Sequence, residues 1–128
     1  MVPKDIDVEK WVLNDKDDVN SSYFMEVAAS EFKIQGLEID YAVVAWEADY
    51  RFIDGRFTYN NFLGSSWSKV NSPIAQEYMK NSYRVLLTRA RQGFIIYIPK
   101  GNPEDLTRNP DFYNQTYNYL KSIGIYEI

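Results

Sequence analysis

The stretch "NSYRVLLTRARQGFIIYIP", residues 81–99, decides how this chain is to be read. Its first half is apolar at helical spacing, and its second half, "FIIYI" at 94–98, is apolar on both faces. Such a run is the habit of a strand buried on both sides, as in parallel sheets covered by helices. Upstream, Ser72 is a natural N-cap and Pro73 suits the first helical position. The spacing therefore predicts a helix over 72–90, with Ile74, Ala75, Tyr78, Met79, Leu86 and Ala90 largely on one face. Gly93 offers a left-handed stop. Arg89 and Arg91 then stand at a helix-to-strand junction, a place where a surface helix has no need of two close cations.

Working outward, two more apolar runs, "YFMEVAA" at 23–29 and "YAVVAW" at 41–46, read as buried strands. A last helix is expected from Asn109-Pro110, with Phe112, Tyr113, Thr116, Tyr117 and Leu120 along one stripe and an end near Gly124. The fold class this implies is α/β. Residues 1–22 are charged and weakly periodic and read as a linker or frayed start, leaving 23–128 as the folded lobe.

Composition narrows the chemistry. The chain has 128 residues, 45% of them hydrophobic, with a net charge of −4, no cysteine and no histidine. Disulfides, thiol chemistry and any triad built on histidine are excluded, and a metal site is not expected. The acidic balance argues against wrapping nucleic acid over a broad basic face, though not against a local phosphate site. No segment approaches the run of about 18 apolar residues that spans a membrane. The opening "MVPKDIDVEK" has no apolar core of a leader peptide, and a cytoplasmic location is expected.

Two clusters carry candidate chemistry. In 47–71, Asp54-Gly55 between alternating aromatics is a strong hairpin signal. There Arg51, Arg56 and Lys69 interleave with aromatics such as Trp67, the residue mix that stacks bases and holds phosphates of a single strand. The same residues also serve as the core and edge of an ordinary hairpin. The second cluster, Gln35-Gly36-Leu37-Glu38, lies in a strand-to-strand connection, where a glycine allows close backbone approach and a carboxylate can accept from sugar hydroxyls. Asp49 and Asp54 are the one hint of a hydrolytic carboxylate pair, and turn chemistry explains them equally well.

Taken in order, "IQGLEIDYAVV" and "YRVLLTRARQGFIIYIP" resemble the fifth and sixth motifs of superfamily 1 helicases. Residues 23–124 resemble the C-terminal end of the Schlafen-group-3-like DNA/RNA helicase domain found in bacterial proteins. The resemblance implies a parallel-sheet RecA-like C-terminal lobe, of the P-loop NTPase type, with a β-hairpin insertion. It implies an ATP-driven helicase or translocase, the intact protein acting on single-stranded DNA or RNA with an N-terminal helicase lobe of the same chain as partner. In that family the arginine of the LTRA motif reaches the γ-phosphate of ATP held by the other lobe. By resemblance the role falls to Arg89, with Thr88 shaping the turn, Gln35 and Gly36 shaping the nucleotide-side loop, and Glu38 bonding the ribose. Arg91 is a further candidate at the nucleotide, with complementing the dipole at the helix C-terminus as its other reading.

Two departures stand beside the match. Phe32 occupies the place where many superfamily members carry histidine. No GxxxxGK[ST] occurs, since none of the glycines at 36, 55, 64, 93, 101 and 124 opens such a loop. ATP with Mg²⁺ would therefore be held mainly by an N-terminal lobe, and the chain reads as a C-terminal piece supplying half of the site. The alternative is a stand-alone nucleic-acid-binding or regulatory module with the lobe's fold and no motor activity.

Overall fold

The computed structural model describes residues 6–25, 28–30, 32–34 and 36–128. The chain divides into two compact units, residues 1–39 and 40–128.

In the first unit, α1 spans Val8–Leu13, and Asp7 caps it by accepting from the Lys10 backbone N–H. The expected strand at 23–29 is not what forms: Ser22–Phe24 is a 3₁₀ turn, and Met25 adopts φ 61°. Glu26 and Val27 lie outside the described residues. Ser21 is fully buried, donating its hydroxyl to Asn14 O at 2.7 Å and accepting from the Tyr23 N–H. A small apolar run has lost here to local side-chain-to-backbone bonding, the competition that serine and asparagine bring to any segment.

The second unit holds two sheets. β1 (Ile39–Ala45) and β5 (Ala90–Tyr97) form a two-stranded parallel pair. Trp46 N–H donates to Tyr97 O at 2.9 Å at one end, and Asp40 meets Arg91 at the other. One face of this pair is covered: Val44 is 3% exposed, whereas its neighbour Val43 is 57% exposed. Tyr41, Ile95 and Tyr97 share the open face with Val43. The doubly buried strands expected from the apolar runs are thus covered on one side only, and the described residues show a two-stranded parallel pair rather than a full RecA-like parallel sheet.

The second sheet is antiparallel, in the order β2 (Tyr50–Ile53), β3 (Arg56–Leu63), β4 (Ser66–Lys69). Asp54 (φ 51°) and Gly55 (φ 84°) make the two-residue turn between β2 and β3, the mirror-image geometry that matches strand twist. The expected hairpin gains a third strand through a second two-residue turn at Gly64-Ser65, pairing Phe62 with Trp67 and Asn60 with Lys69.

α2 spans Pro73–Thr88, started by Ser72, whose hydroxyl accepts from the Ala75 N–H. Its inward face matches the expected stripe only in part. Met79 packs inward as expected, beside Leu87 and the buried Tyr83, while Ile74 and Tyr78 are exposed. Gly93 is not the helix stop: the helix ends at Thr88, and Gly93 lies within β5. A Cβ there would come within 3.4 Å of the Tyr41 ring on the neighbouring strand. α3 spans Asp111–Ser122 and buries Tyr113, Thr116 and Leu120. Gly124, φ 104°, follows it, and Ile125 N–H returns to Leu120 O at 3.1 Å.

Trp46, Tyr83 and Leu120 form the core of this unit, with Tyr50, Phe57, Ile96 and Tyr119 packed against them. Trp46 donates its indole N–H to Tyr50 O at 2.7 Å, so the large ring is buried with its polar group satisfied. α3 also closes the outer edge of β2. Phe52 N–H donates to Thr116 Oγ1 at 2.9 Å and Asp54 N–H to Gln115 Oε1 at 3.0 Å. Side chains of a helix thus take the place of a further strand.

Candidate functional site

The helix-to-strand junction at 88–91 is built without a glycine. Arg89 takes φ −77° and ψ −30° as the last helical turn ends, and Ala90 opens β5 directly. Thr88 Oγ1 donates back to Arg84 O at 2.7 Å, which ties its hydroxyl to the helix. Arg89 is half-buried. Its Nε is shielded from solvent and has no hydrogen-bond partner among the described residues. A shielded guanidinium nitrogen without an acceptor is costly, and an arriving anion would relieve it. Arg91 behaves differently: it donates to Asp40 Oδ1 at 2.9 Å across the parallel pair, with both side chains largely exposed. Its place is in β5 rather than at the helix end.

The other residues expected near nucleotide belong to the first unit. Leu37 N–H closes a turn onto Ile34 O at 3.0 Å, and Gly36 supplies the positive φ of 81° that this turn requires. Nothing lies within 4 Å of a Cβ placed on Gly36, so one side of the turn is open. Glu38 is exposed immediately before β1. Gln35 lies outside the described residues. Phe32 is 74% exposed.

The residues proposed to touch nucleic acid are gathered by strand register. Pairing of Arg51 with Thr58, Ile53 with Arg56, Asn60 with Lys69 and Phe62 with Trp67 puts Arg51, Arg56, Trp67 and Lys69 on one face of the antiparallel sheet. The opposite face carries Tyr50, Phe52, Phe57 and Tyr59 into the core, where Tyr50 and Phe57 stack at 4.5 Å. Burial in that stack pushes the Tyr50 hydroxyl up to about 12. Within the outer face the four residues separate. Arg56 and Lys69 are exposed, but Arg51 is only 5% exposed, its guanidinium 3.7 Å from the Phe112 ring centre and 5.0 Å from that of Trp67. Arg51 supports the sheet from within, by a desolvated cation–π contact.

Beside Trp67 the surface sinks into a cleft of about 580 Å³, lined among others by Glu47, Asp49, Phe62, Trp67, Arg108 and Tyr113. The loop before α3 forms one wall. It is held by Trp67, whose indole donates to Thr107 O at 2.7 Å, and by Asn102 N–H, which donates to Arg108 O at 2.7 Å. Gly101 (φ 75°) is needed there, because a Cβ would lie 2.6 Å from Arg108 O. Asp49 is held by the Tyr83 hydroxyl and by Tyr50 N–H, both on Oδ1. Burial raises the Asp49 carboxyl above its ordinary range, and burial together with the Asp49 charge raises the Tyr83 hydroxyl.

Sequence reasoning missed this cleft. Asp49 was visible only as a turn residue or half of a carboxylate pair with Asp54, Tyr113 only as part of a helix stripe, and Glu47 and Arg108 carry no local signal, because strand β4 and the 99–110 loop meet through long-range packing. Among the described residues no group of three or more Asp, Glu, His or Cys side chains could hold a metal ion, and no helix is long and apolar enough to cross a membrane.

Comparison with known proteins adds one finding. The family model described as "Schlafen group 3, DNA/RNA helicase domain" matches residues 2–100. That span takes in residues 2–22, which the motif resemblance left aside, and stops before α3. No protein of curated function and no solved structure matches the chain. The matched span contains both motif segments, the turn at Gly36 and the junction at Arg89, and it covers well over half of the chain. The chain belongs to the Schlafen group 3 DNA/RNA helicase domain family.

Proposed function

We propose that this chain is the C-terminal RecA-like lobe of an ATP-driven DNA or RNA helicase or translocase. On this reading Arg89 is the cation delivered to the γ-phosphate of ATP, and an N-terminal lobe supplies the phosphate-binding loop and the Mg²⁺ ligands. The observation that carries the reading is the state of Arg89: a guanidinium nitrogen shielded from water at a helix-to-strand junction, with no acceptor among the described residues. Phosphoryl transfer is catalysed mainly by positioning and charge neutralisation, for which a planar, permanently charged fork is suited. The open face of the β1–β5 pair supports the reading as well, since parallel strands are ordinarily covered on both sides.

The test is made in a protein carrying both lobes. Arg89→Lys should lower the ATP turnover rate by roughly 10²-fold or more while nucleotide affinity changes little. Arg91→Lys should be milder, because Arg91 is engaged with Asp40. The 128-residue chain alone should show no hydrolysis. Equal turnover for both variants and the parent would remove Arg89 from the reaction.

A second reading, a nucleic-acid-binding module without motor activity, is favoured by one observation. The antiparallel sheet with Arg56, Lys69 and Trp67 on its outer face is completed by α3 within this chain.

A further inference from the structure

The cleft beside Trp67 has a composition that selects among ligands. Two carboxylates, Glu47 and Asp49, line it, so a bare phosphate is repelled. A cation is disfavoured too, because Arg51 already lies 5.0 Å from the Trp67 ring centre and Arg108 stands in the wall. What remains is a neutral, flat ligand with N–H donors: its face would lie against the exposed Phe62 ring, with Trp67 beside it, and its donors would meet the carboxylates. Phe62 is 47% exposed and packs edge-on against Trp67 at 5.2 Å, so the aromatic wall is held in place before any ligand arrives.

The carboxylates are also prearranged. Glu47 Oε1 accepts from Ala48 N–H at 3.0 Å, and the two bonds that fix Asp49 fall on Oδ1, so Oδ2 carries neither of them. Arg108, exposed, also lines the cleft and puts one cation beside the two carboxylates.

We propose that this cleft takes one unstacked nucleobase of a single strand and prefers bases carrying an exocyclic amino group. The inference rests on the reading of the chain as a nucleic-acid-binding lobe and deepens it. Adenine, cytosine and guanine present an amino group to the carboxylates. Thymine and uracil present two carbonyl oxygens flanking a single N–H, and those oxygens would face Glu47 and Asp49 with like charge.

The experiment uses the whole 128-residue chain and fluorescently labelled homopolymers of about a dozen nucleotides, dA, dC and dT. The expected result is about fivefold or tighter binding of dA and dC relative to dT. Glu47→Gln should bring that ratio close to one while leaving the fold intact, since the glutamine carbonyl keeps the bond from Ala48 and its amide can donate to thymine. Equal binding of all three homopolymers by the parent chain, or a preference unchanged in Glu47→Gln, would overturn the inference and leave the lobe reading standing. Failure to bind any of the three would overturn both the inference and the nucleic-acid part of the proposed function. Quenching of tryptophan fluorescence by argininamide at concentrations that leave the homopolymers unbound would instead make the cleft a cation site and overturn the inference.

Discussion

The two sheets of the second unit solve the problem of exposed backbone and apolar surface differently. The antiparallel sheet is finished within the chain: its inner face is buried under Trp46, Tyr83 and Tyr119, and α3 takes up the free N–H groups of β2. The parallel pair is not finished. Val44, Ile96 and Trp46 face the core, but Val43, Ile95 and Tyr97 face solvent. Antiparallel strands joined by tight turns complete themselves locally, whereas parallel strands need partners that come from far along a chain. The unfinished half is also the half that carries Arg89.

The largest expected effect tests the shared core. Trp46→Ala should lower stability by about 3–5 kcal/mol in urea unfolding, because it leaves a large void between the two sheets and frees the Tyr50 carbonyl. Val43→Ala, in β1 but on the open face, should change it by less than about 0.5 kcal/mol. Comparable losses at both positions would mean that the face of Val43 is covered in solution.

An intermediate effect tests how the antiparallel sheet is closed. Thr116 is fully buried, and Thr116→Val keeps its shape while leaving Phe52 N–H without an acceptor. The expected loss is about 1–3 kcal/mol, read as a lower denaturant midpoint with an unchanged slope. A Thr116→Ser variant, which keeps the hydroxyl, should recover part of it.

The smallest effect concerns pH. The folded Asp49 carboxyl holds its proton more tightly than an unfolded one, whose ordinary value is 3.8, so its contribution to stability is fully present below that value. The contribution is lost as pH rises through the raised folded value. Asp49→Asn cannot ionise, and its side-chain oxygen can still accept from Tyr83 and Tyr50. The variant should therefore lose less stability than the parent chain across that window, measured by thermal unfolding at a series of pH values.

Much of the finished sheet could be read from residues close together in sequence. Asp54-Gly55 marks its turn, and Ser72-Pro73 and Gly124 mark the ends of the two long helices, because caps and turns are set by local φ and side-chain bonding. Where a partner is distant, reading failed. Gly93 looked like a helix stop because its approach to Tyr41, 52 residues upstream, leaves no local trace. Ile74 and Tyr78 looked inward-facing because helical spacing gives a stripe but not which stripe meets the sheet. Arg51 looked like a surface cation, and only Phe112 and Trp67, brought together by α3 and β4, show that it is buried. The cleft was invisible for the same reason, while the junction at Arg89 was visible because its motif is continuous.

The way α3 seals β2 has a practical consequence for anyone trimming this chain. The match to the family model ends at residue 100, and a gene cut there would look like a tidy domain boundary. It would also strip the Thr116 and Gln115 acceptors from β2 and leave a short aromatic strand, Tyr50–Ile53, bare along one side. Such an edge templates sheet growth between molecules. The shortened product is expected to collect as insoluble aggregate, and its recovery in soluble form would require a charged or proline substitution on that strand.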